Sequence, residues 1–228
     1  MTYTLVGIAL IVAALDWYAV YAQKKRLEYL AKPGVMVALL IWMVLNGGLS
    51  GGLIWFTLGL AFSMAGDIFL MLPRERFIAG LISFLLAHLV YTAGFNLAPP
   101  ALNLPAAIVA VLVAFTWLRI YRAIAAGLQA SGNAALKIPV LAYSLVISVM
   151  LLSALLTLTG ETWQPAAALL VSGGALLFFI SDTLLAWNKF VTPLRYGRLV
   201  VIITYHLGQI MISLGAVLHF SSLTQALI

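Results

Sequence analysis

The sequence predicts an all-α membrane protein, a polytopic bundle of eight transmembrane helices that forms one domain over residues 1–228. Hydrophobic residues make up 64% of the chain and charged residues only 8%, whereas a soluble domain has about 25% charged residues. Apolar runs long enough to cross a bilayer recur from end to end. The Lys and Arg residues fall in alternate loops. Such a chain cannot cover a water-facing surface, and its net charge of +6 points to lipid headgroups rather than nucleic acid.

Turn-forming residues separate the apolar runs. Glycine clusters around Asn46-Gly47-Gly48, the pair Pro99-Pro100, the segment Ser131-Gly132-Asn133 and single prolines such as Pro73 and Pro193 mark the breaks. The first run lacks a preceding basic segment and is too long for a signal peptide, so we expect a retained helix. The predicted helices cover residues 2–23, 33–49, 52–72, 77–97, 102–122, 137–159, 165–188 and 198–220.

The basic residues support this helix count and predict an orientation. All 12 Lys and Arg residues lie in or beside the first, third, fifth and seventh loops. A missed helix would destroy this alternation. Because cytoplasmic loops carry the excess of Lys and Arg, both termini are expected on the non-cytoplasmic side. The expected location is the cytoplasmic membrane of a bacterium.

Three acidic residues fall inside predicted helices. Asp16, Asp67 and Asp182 lie in apolar surroundings, whereas Glu28, Glu75 and Glu161 lie in loops. A carboxylate in hydrocarbon costs several kcal/mol, so such residues usually face a cavity or a partner and mark function. The alternative is a protonated carboxyl that only makes hydrogen bonds between helices, and this reading is strongest for Asp16.

The three aspartates are predicted at similar depth. Each precedes the first basic residue of its loop by seven or eight positions, which places it roughly 10–12 Å below the cytoplasmic charges. They could therefore line one cavity. Other polar residues fit that cavity, because Tyr205 and Gln209 share one face of helix 8, and His88 and Tyr91 are neighbours on helix 4.

Helices 3 and 7 have a weak similarity that suggests an internal repeat. Asp67-Ile68-Phe69-Leu70 and Asp182-Thr183-Leu184-Leu185 occupy corresponding depths in helices of the same direction. This is compatible with a four-plus-four pseudo-repeat.

A set of residues in one order resembles the YhhN-type lysoplasmalogenase family of membrane proteins. The set runs through Lys32-Pro33, Phe62-Ser63, Gly66-Asp67, Phe84, Ala87-His88, Tyr91, Pro139, Tyr143, Met150, Phe178, Ser181-Asp182, Phe190, Tyr205 and Gln209. The resemblance implies an eight-helix bundle that hydrolyses lysoplasmalogens, which are lysophospholipids with a vinyl ether chain, to a fatty aldehyde and a glycerophospho-alcohol. It implies Asp67 and Asp182 as the catalytic pair.

Further site residues are expected around this pair, and no metal or organic cofactor is required. The substrate phosphate could meet Lys32, Arg74, Arg195 or Arg198 at the interface. The substrate is a lysophospholipid in contact with membrane lipids. The residues predicted to bind substrate or to support the catalytic pair are Asp16, Lys32, Ser63, His88, Tyr91, Ser181, Tyr205 and Gln209.

Two carboxyls suit vinyl ether hydrolysis. The slow step is protonation of an alkene carbon, which gives an oxocarbenium ion that water then attacks. A carboxylic acid in a low-dielectric site beside a second carboxyl can stay protonated at neutral pH and act as the acid. The second, ionised carboxylate can stabilise the cation and activate water, as the paired carboxyls of glycosidases do.

Other functions explain some of the same residues. From the residues alone, a proton-coupled lipid or small-molecule transporter accounts for membrane acids as well as a hydrolase does, although the deep acids all lie toward one face. An intramembrane aspartyl protease is less favoured, because Met64 replaces the first glycine of its Gly-x-Gly-Asp motif. A zinc hydrolase with His88, His206 and an Asp lacks the HExxH spacing.

Overall fold

The described part of the chain forms eight α-helices, as predicted. The computed structural model describes residues 3–72 and 76–226. All eight helices within these residues are long and apolar enough to cross a membrane, which confirms the predicted all-α fold class. A short 3-10 turn at Ala134–Leu136 leads into the sixth helix. The helices are α1 Thr4–Tyr21, α2 Lys25–Leu45, α3 Leu53–Met71, α4 Phe77–Phe95, α5 Leu104–Ala130, α6 Lys137–Leu156, α7 Pro165–Phe190 and α8 Gly197–Ala226.

Consecutive helices pack as antiparallel pairs, and α8 lies at the centre. The pairs α1–α2, α3–α4, α5–α6 and α7–α8 are in contact, and α8 also touches α1, α2 and α3. Helix α4 packs against α6, which joins the two halves. Helix α5 is mostly exposed to the surroundings. This arrangement brings polar residues of α2, α3, α4, α6, α7 and α8 into the interior.

Helix α2 begins earlier than predicted. The sequence analysis began this helix at Pro33, but the helix begins at Lys25 and contains Pro33. Proline removes one backbone donor without ending the helix, and the charged turns before it continue to a buried apolar face that includes Val35 and Leu39. Lys32 is therefore a helical residue inside the bundle rather than part of a loop.

Helix α5 ends later than predicted. It continues from the predicted end at 122 to Ala130, because Ile124 and Leu128 are buried in a small core with Val140 and Phe190. Arg119 and Arg122, which were expected beside the fifth loop, therefore lie on the exposed side of α5 itself, whereas Lys137 begins α6. Tertiary packing at this end extends the helix beyond the charges that the prediction used as its boundary.

Glycines bring neighbouring helices close together at Gly66 and Gly174. A Cβ at Gly66 would lie 2.6 Å from the ring of Phe84, and one at Gly174 would lie 2.7 Å from the carbonyl oxygen of Gly208. In the α3–α4 pair, the backbone of α3 thus packs against a side chain of α4. In the α7–α8 pair, the two backbones pack against each other.

Charged residues link several helices at one end of the bundle. Arg198 at the start of α8 forms an ion pair with Glu28 near the start of α2, at 2.8 Å. Lys189 near the end of α7 lies over the ring of Phe77 at the start of α4. We call this the basic end. The side of the membrane that it faces remains a prediction.

Candidate active site

Asp67 is held by residues from two other helices. The Lys32 Nζ on α2 lies 2.9 Å from Asp67 Oδ1, and the Tyr205 hydroxyl on α8 donates to Asp67 Oδ2 at 2.6 Å. The Lys32 ammonium also lies over the Tyr205 ring, 5.9 Å from its centre. Both carboxyl oxygens of this buried residue therefore have a partner, one of them a cation.

Asp182 is held by residues from two different helices. The Tyr143 hydroxyl on α6 donates to Asp182 Oδ2, and His88 Nε2 on α4 lies 3.3 Å from the same oxygen. His88 Nε2 also lies 3.0 Å from the Tyr143 hydroxyl. The three side chains form a closed polar cluster that contains neither lysine nor arginine.

Aromatic rings separate the two clusters. The ring of Phe178 lies 4.8 Å from that of His88 and 5.3 Å from that of Tyr205. Phe84 packs against both Phe178 and Tyr205. The rings of Phe84 and Phe178 thus connect residues of α3, α4, α7 and α8 through the bundle interior.

A third polar network lies on the same helix faces, one turn away from Asp67. The Tyr91 hydroxyl donates to Gln209 Oε1 at 2.7 Å, and Gln209 Nε2 donates to Ser63 Oγ at 3.0 Å. Because Ser63 precedes Asp67 by four residues and Gln209 follows Tyr205 by four, this network fixes α3, α4 and α8 beside the Asp67 cluster.

An apolar cavity of about 60 Å³ reaches Asp182. It lies mainly between α4, α5, α6 and α7, and its wall includes Tyr143 as well as Asp182. Lys189 lies at the part of the wall nearest the basic end. A cavity with apolar walls and a carboxyl at one place suits a hydrocarbon chain that carries a reactive group.

A polar cavity of about 500 Å³ opens beside it at the basic end. Leu70, Phe77, Leu185 and Lys189 line both cavities. The polar cavity is the larger one and contains several cationic side chains. The charged residues in its wall are Lys25, Glu28, Lys32, Lys189 and Arg198.

Several predicted site residues lie elsewhere. Asp16 is fully buried, and neither of its carboxyl oxygens has a hydrogen-bond partner within the described part of the chain. It lines neither of these two cavities, and neither does Asp67, so the two cavities do not support the expectation of three aspartates around one cavity. Ser181 donates to the carbonyl of Val201 and so joins α7 to α8.

The four residues expected to bind the substrate phosphate do not all lie at the polar cavity. Lys32 and Arg198 line the polar cavity, whereas Arg195 does not. Arg74 lies outside the described residues. Within residues 3–72 and 76–226, no group of three or more His, Asp or Glu side chains is placed to hold a metal ion.

Sequence reasoning did not select Tyr143 as a site residue, although the resemblance included it. A lone tyrosine in an apolar helix carries no periodic signal, and its role depends on α6 lying beside α4 and α7. Lys25 and Lys189 were likewise assigned only to loops, because their position at a cavity follows from tertiary packing.

The fold and the site define a class of protein: a polytopic membrane protein with two buried, separately held aspartates, one of which lines an apolar cavity. The YhhN family model matches residues 27–216, and the chain belongs to that family. The expected resemblance is thereby confirmed.

Named relatives match over much of the chain. Lysoplasmalogenase TMEM86B of Mus musculus is 33% identical over 188 residues, which is 81% of this chain and 72% of the relative. Lysoplasmalogenase TMEM86B of Homo sapiens is 30% identical and covers 89% of this chain and 76% of its own length. Lysoplasmalogenase TMEM86A of Homo sapiens is 32% identical over 70% of this chain and 63% of its own length. No solved structure gives a significant match.

Proposed function

We propose that this protein is a hydrolase that cleaves the vinyl ether bond of lysoplasmalogens inside the membrane. The observation that carries the proposal is the position of Asp182 in the wall of an apolar cavity that adjoins a basic one. Family membership and relatives named lysoplasmalogenases support the same reaction.

The two cavities suit the two parts of a lysophospholipid. The apolar cavity accepts the hydrocarbon chain, and the polar cavity offers Lys25, Lys32, Lys189 and Arg198 to the phosphate. Because both cavities share wall residues, the ether at the junction of chain and glycerol can lie near Asp182. The basic end then faces the leaflet from which the substrate enters, which we propose is the cytoplasmic leaflet of a bacterial membrane.

The reaction needs an acid, a negative charge and one water molecule. A carboxylic acid protonates the alkene carbon remote from oxygen, and the resulting oxocarbenium ion takes up water to form a hemiacetal. The hemiacetal collapses to a fatty aldehyde and a glycerophospho-alcohol. Proton transfer from a positioned group typically contributes 10²–10⁴-fold to the rate, and a fixed negative charge stabilises the cationic intermediate in a low-dielectric site.

Aldehyde release from a lysoplasmalogen by purified protein in detergent tests this function. We expect aldehyde from the wild type and at least about a hundred-fold less from Asp67→Asn and Asp182→Asn, because each change removes a carboxyl of the pair. The measurement is the initial rate of aldehyde formation at several substrate concentrations.

Two controls make the result specific. Glu161→Gln makes the same acid-to-amide change at an exposed position between α6 and α7, and it should keep wild-type activity. An ester-linked lysophospholipid should release no aldehyde. Correctly folded wild-type protein that forms no aldehyde would contradict the proposal, and transport of lysolipid across vesicles would then be the function to test.

A further inference from the structure

The two aspartates differ in how their oxygens are used. Asp67 is 2% exposed, and Lys32 and Tyr205 contact separate oxygens of its carboxyl. Asp182 is 10% exposed, and both of its partners contact Oδ2. Within the described residues, Oδ1 of Asp182 therefore has no hydrogen-bond partner. Asp182 lines the apolar cavity, whereas Asp67 lines neither of the two cavities described above.

The charges around the aspartates also differ. A carboxylate beside an ammonium group keeps its charge in a low-dielectric interior, because separating the pair would leave a buried lysine charge uncompensated. Asp67 has this partner in Lys32. A carboxyl with no cationic partner is favoured in its neutral form under the same conditions.

His88 does not supply such a cation to Asp182. Its ring is fully buried, and its Nδ1 has no hydrogen-bond partner within the described chain. The ring also packs on Phe178. A charged imidazole would leave one N–H unsatisfied in an apolar surrounding, so His88 is not a counterpart of the Lys32 ammonium beside Asp67. The other group that faces Asp182 is the Tyr143 hydroxyl, which is neutral.

From these differences, and resting on the proposed function, we propose a division of roles. Asp182 is the acid that protonates the substrate, and Asp67 stays ionised as a fixed counter-charge. Tyr143 is a positioning residue, because its hydrogen bond holds Oδ2 and directs the remaining oxygen away from the polar cluster.

Asp182 alone can supply the proton for the first step and recover a proton from water in the second. The Asp182 O–H bond breaks as the C–H bond forms at the alkene carbon, and the alkene electron pair makes that bond. Water then attacks the oxocarbenium carbon and gives a proton back to the Asp182 carboxylate. Collapse of the hemiacetal moves one further proton from its hydroxyl to the departing alcohol oxygen, so no net proton is gained or lost.

Labelling with dicyclohexylcarbodiimide tests the assignment without any substrate. This apolar reagent reacts with protonated carboxylic acids, and peptide mass spectrometry locates the adduct. We expect adduct on the α7 peptide that contains Asp182, at several times the level on the α3 peptide that contains Asp67. The α7 adduct should be absent from Asp182→Asn.

Lys32→Met supplies the matched control. Removing the ammonium leaves Asp67 without its cationic partner, so Asp67 should become protonated and acquire the adduct. Preferential labelling of Asp67 in the wild type would overturn the assignment. The assignment would also be overturned if the Lys32→Met variant were labelled at Asp67 but Asp182 remained unlabelled. Since labelling needs no turnover, protein that is labelled as expected but releases no aldehyde contradicts the proposed function alone.

Discussion

Single residues in this bundle owe their roles to partners on distant parts of the chain. Gln209 shows this most simply, because it accepts from Tyr91 on α4 and donates to Ser63 on α3. An amide has both a donor and an acceptor, so one side chain satisfies two hydroxyl-bearing residues at once. Replacing it with an apolar side chain of similar size isolates both hydroxyl groups.

Gln209→Leu should lower the stability of the bundle. The change leaves the hydroxyl groups of Tyr91 and Ser63 buried without their present partner, and each unsatisfied group costs about 1–3 kcal/mol. We expect a lower midpoint of thermal unfolding in detergent. Thr204→Val is the comparison, because the Thr204 hydroxyl bonds only to carbonyls of its own helix. Equal midpoints for the two variants would show that the Gln209 network does not stabilise the protein.

At the scale of the site, residue type was predictable and pairing was not. Acidic residues in apolar helices stand out in a sequence because burying a charge is costly, so Asp67 and Asp182 could be selected directly. Their partners Lys32 and Tyr143 depend on helix rotation and on which helices are neighbours. Asp16 has the same sequence signal as the other two aspartates, yet it faces neither cavity.

At the scale of the helices, the length of the apolar runs predicted the number of helices well but predicted less accurately the residues at which they begin and end. Helix α2 begins eight residues before the predicted residue 33, and α5 extends eight residues beyond the predicted residue 122. In both cases a charged or proline residue was taken as a boundary. Backbone hydrogen bonding and packing of the flanking turns continue the helix past such residues.

The contacts of the two aspartates support the four-plus-four repeat, which stays a prediction. Asp67 on α3 is held from α2 and α8, and Asp182 on α7 is held from α6 and α4. A repeat of four helices exchanges α2 with α6 and α4 with α8, so the two sets of partners correspond. Lys32 then corresponds to Tyr143, and Tyr205 corresponds to His88. Both partners differ between the two aspartates, and of the two only Asp67 has a lysine beside it.

Gly174→Ala should disrupt the α7–α8 pair. The new Cβ would lie 2.7 Å from the Gly208 carbonyl oxygen and 2.8 Å from the Ile212 backbone nitrogen, and backbone atoms cannot move aside without separating the helices. Overpacking of this kind typically costs about 1–3 kcal/mol. The expected result is a lower unfolding midpoint and less folded protein on gel filtration.

Gly173→Ala is the matched control for that variant. It makes the same change at the next residue, where the Cβ would meet only the terminal methyl of Met211 at 2.7 Å. A flexible side chain can rotate away, and alanine is the better helix former. We therefore expect stability close to that of the wild type. If both variants were equally stable, close packing at Gly174 would not be a determinant of the fold.

At the scale of the whole molecule, the unequal charge of the two ends relates the fold to the proposed reaction. The polar cavity and the ion pair between Arg198 and Glu28 lie at the basic end. A lysophospholipid can place its phosphate in that cavity only from the leaflet that this end faces. The orientation of the protein therefore decides which leaflet supplies the substrate.

Single-cysteine labelling in intact bacterial cells tests this orientation. The chain contains no cysteine, so Lys24→Cys and Glu161→Cys each introduce one thiol at an exposed residue of opposite ends of the bundle. Because basic loops stay in the cytoplasm, a membrane-impermeant maleimide should label Glu161→Cys in intact cells and Lys24→Cys only after lysis. The reverse pattern would place the basic end outside and the substrate phosphate in the outer leaflet. Labelling of both thiols in intact cells would contradict the odd number of membrane spans, α2 to α6, that separates them in the fold.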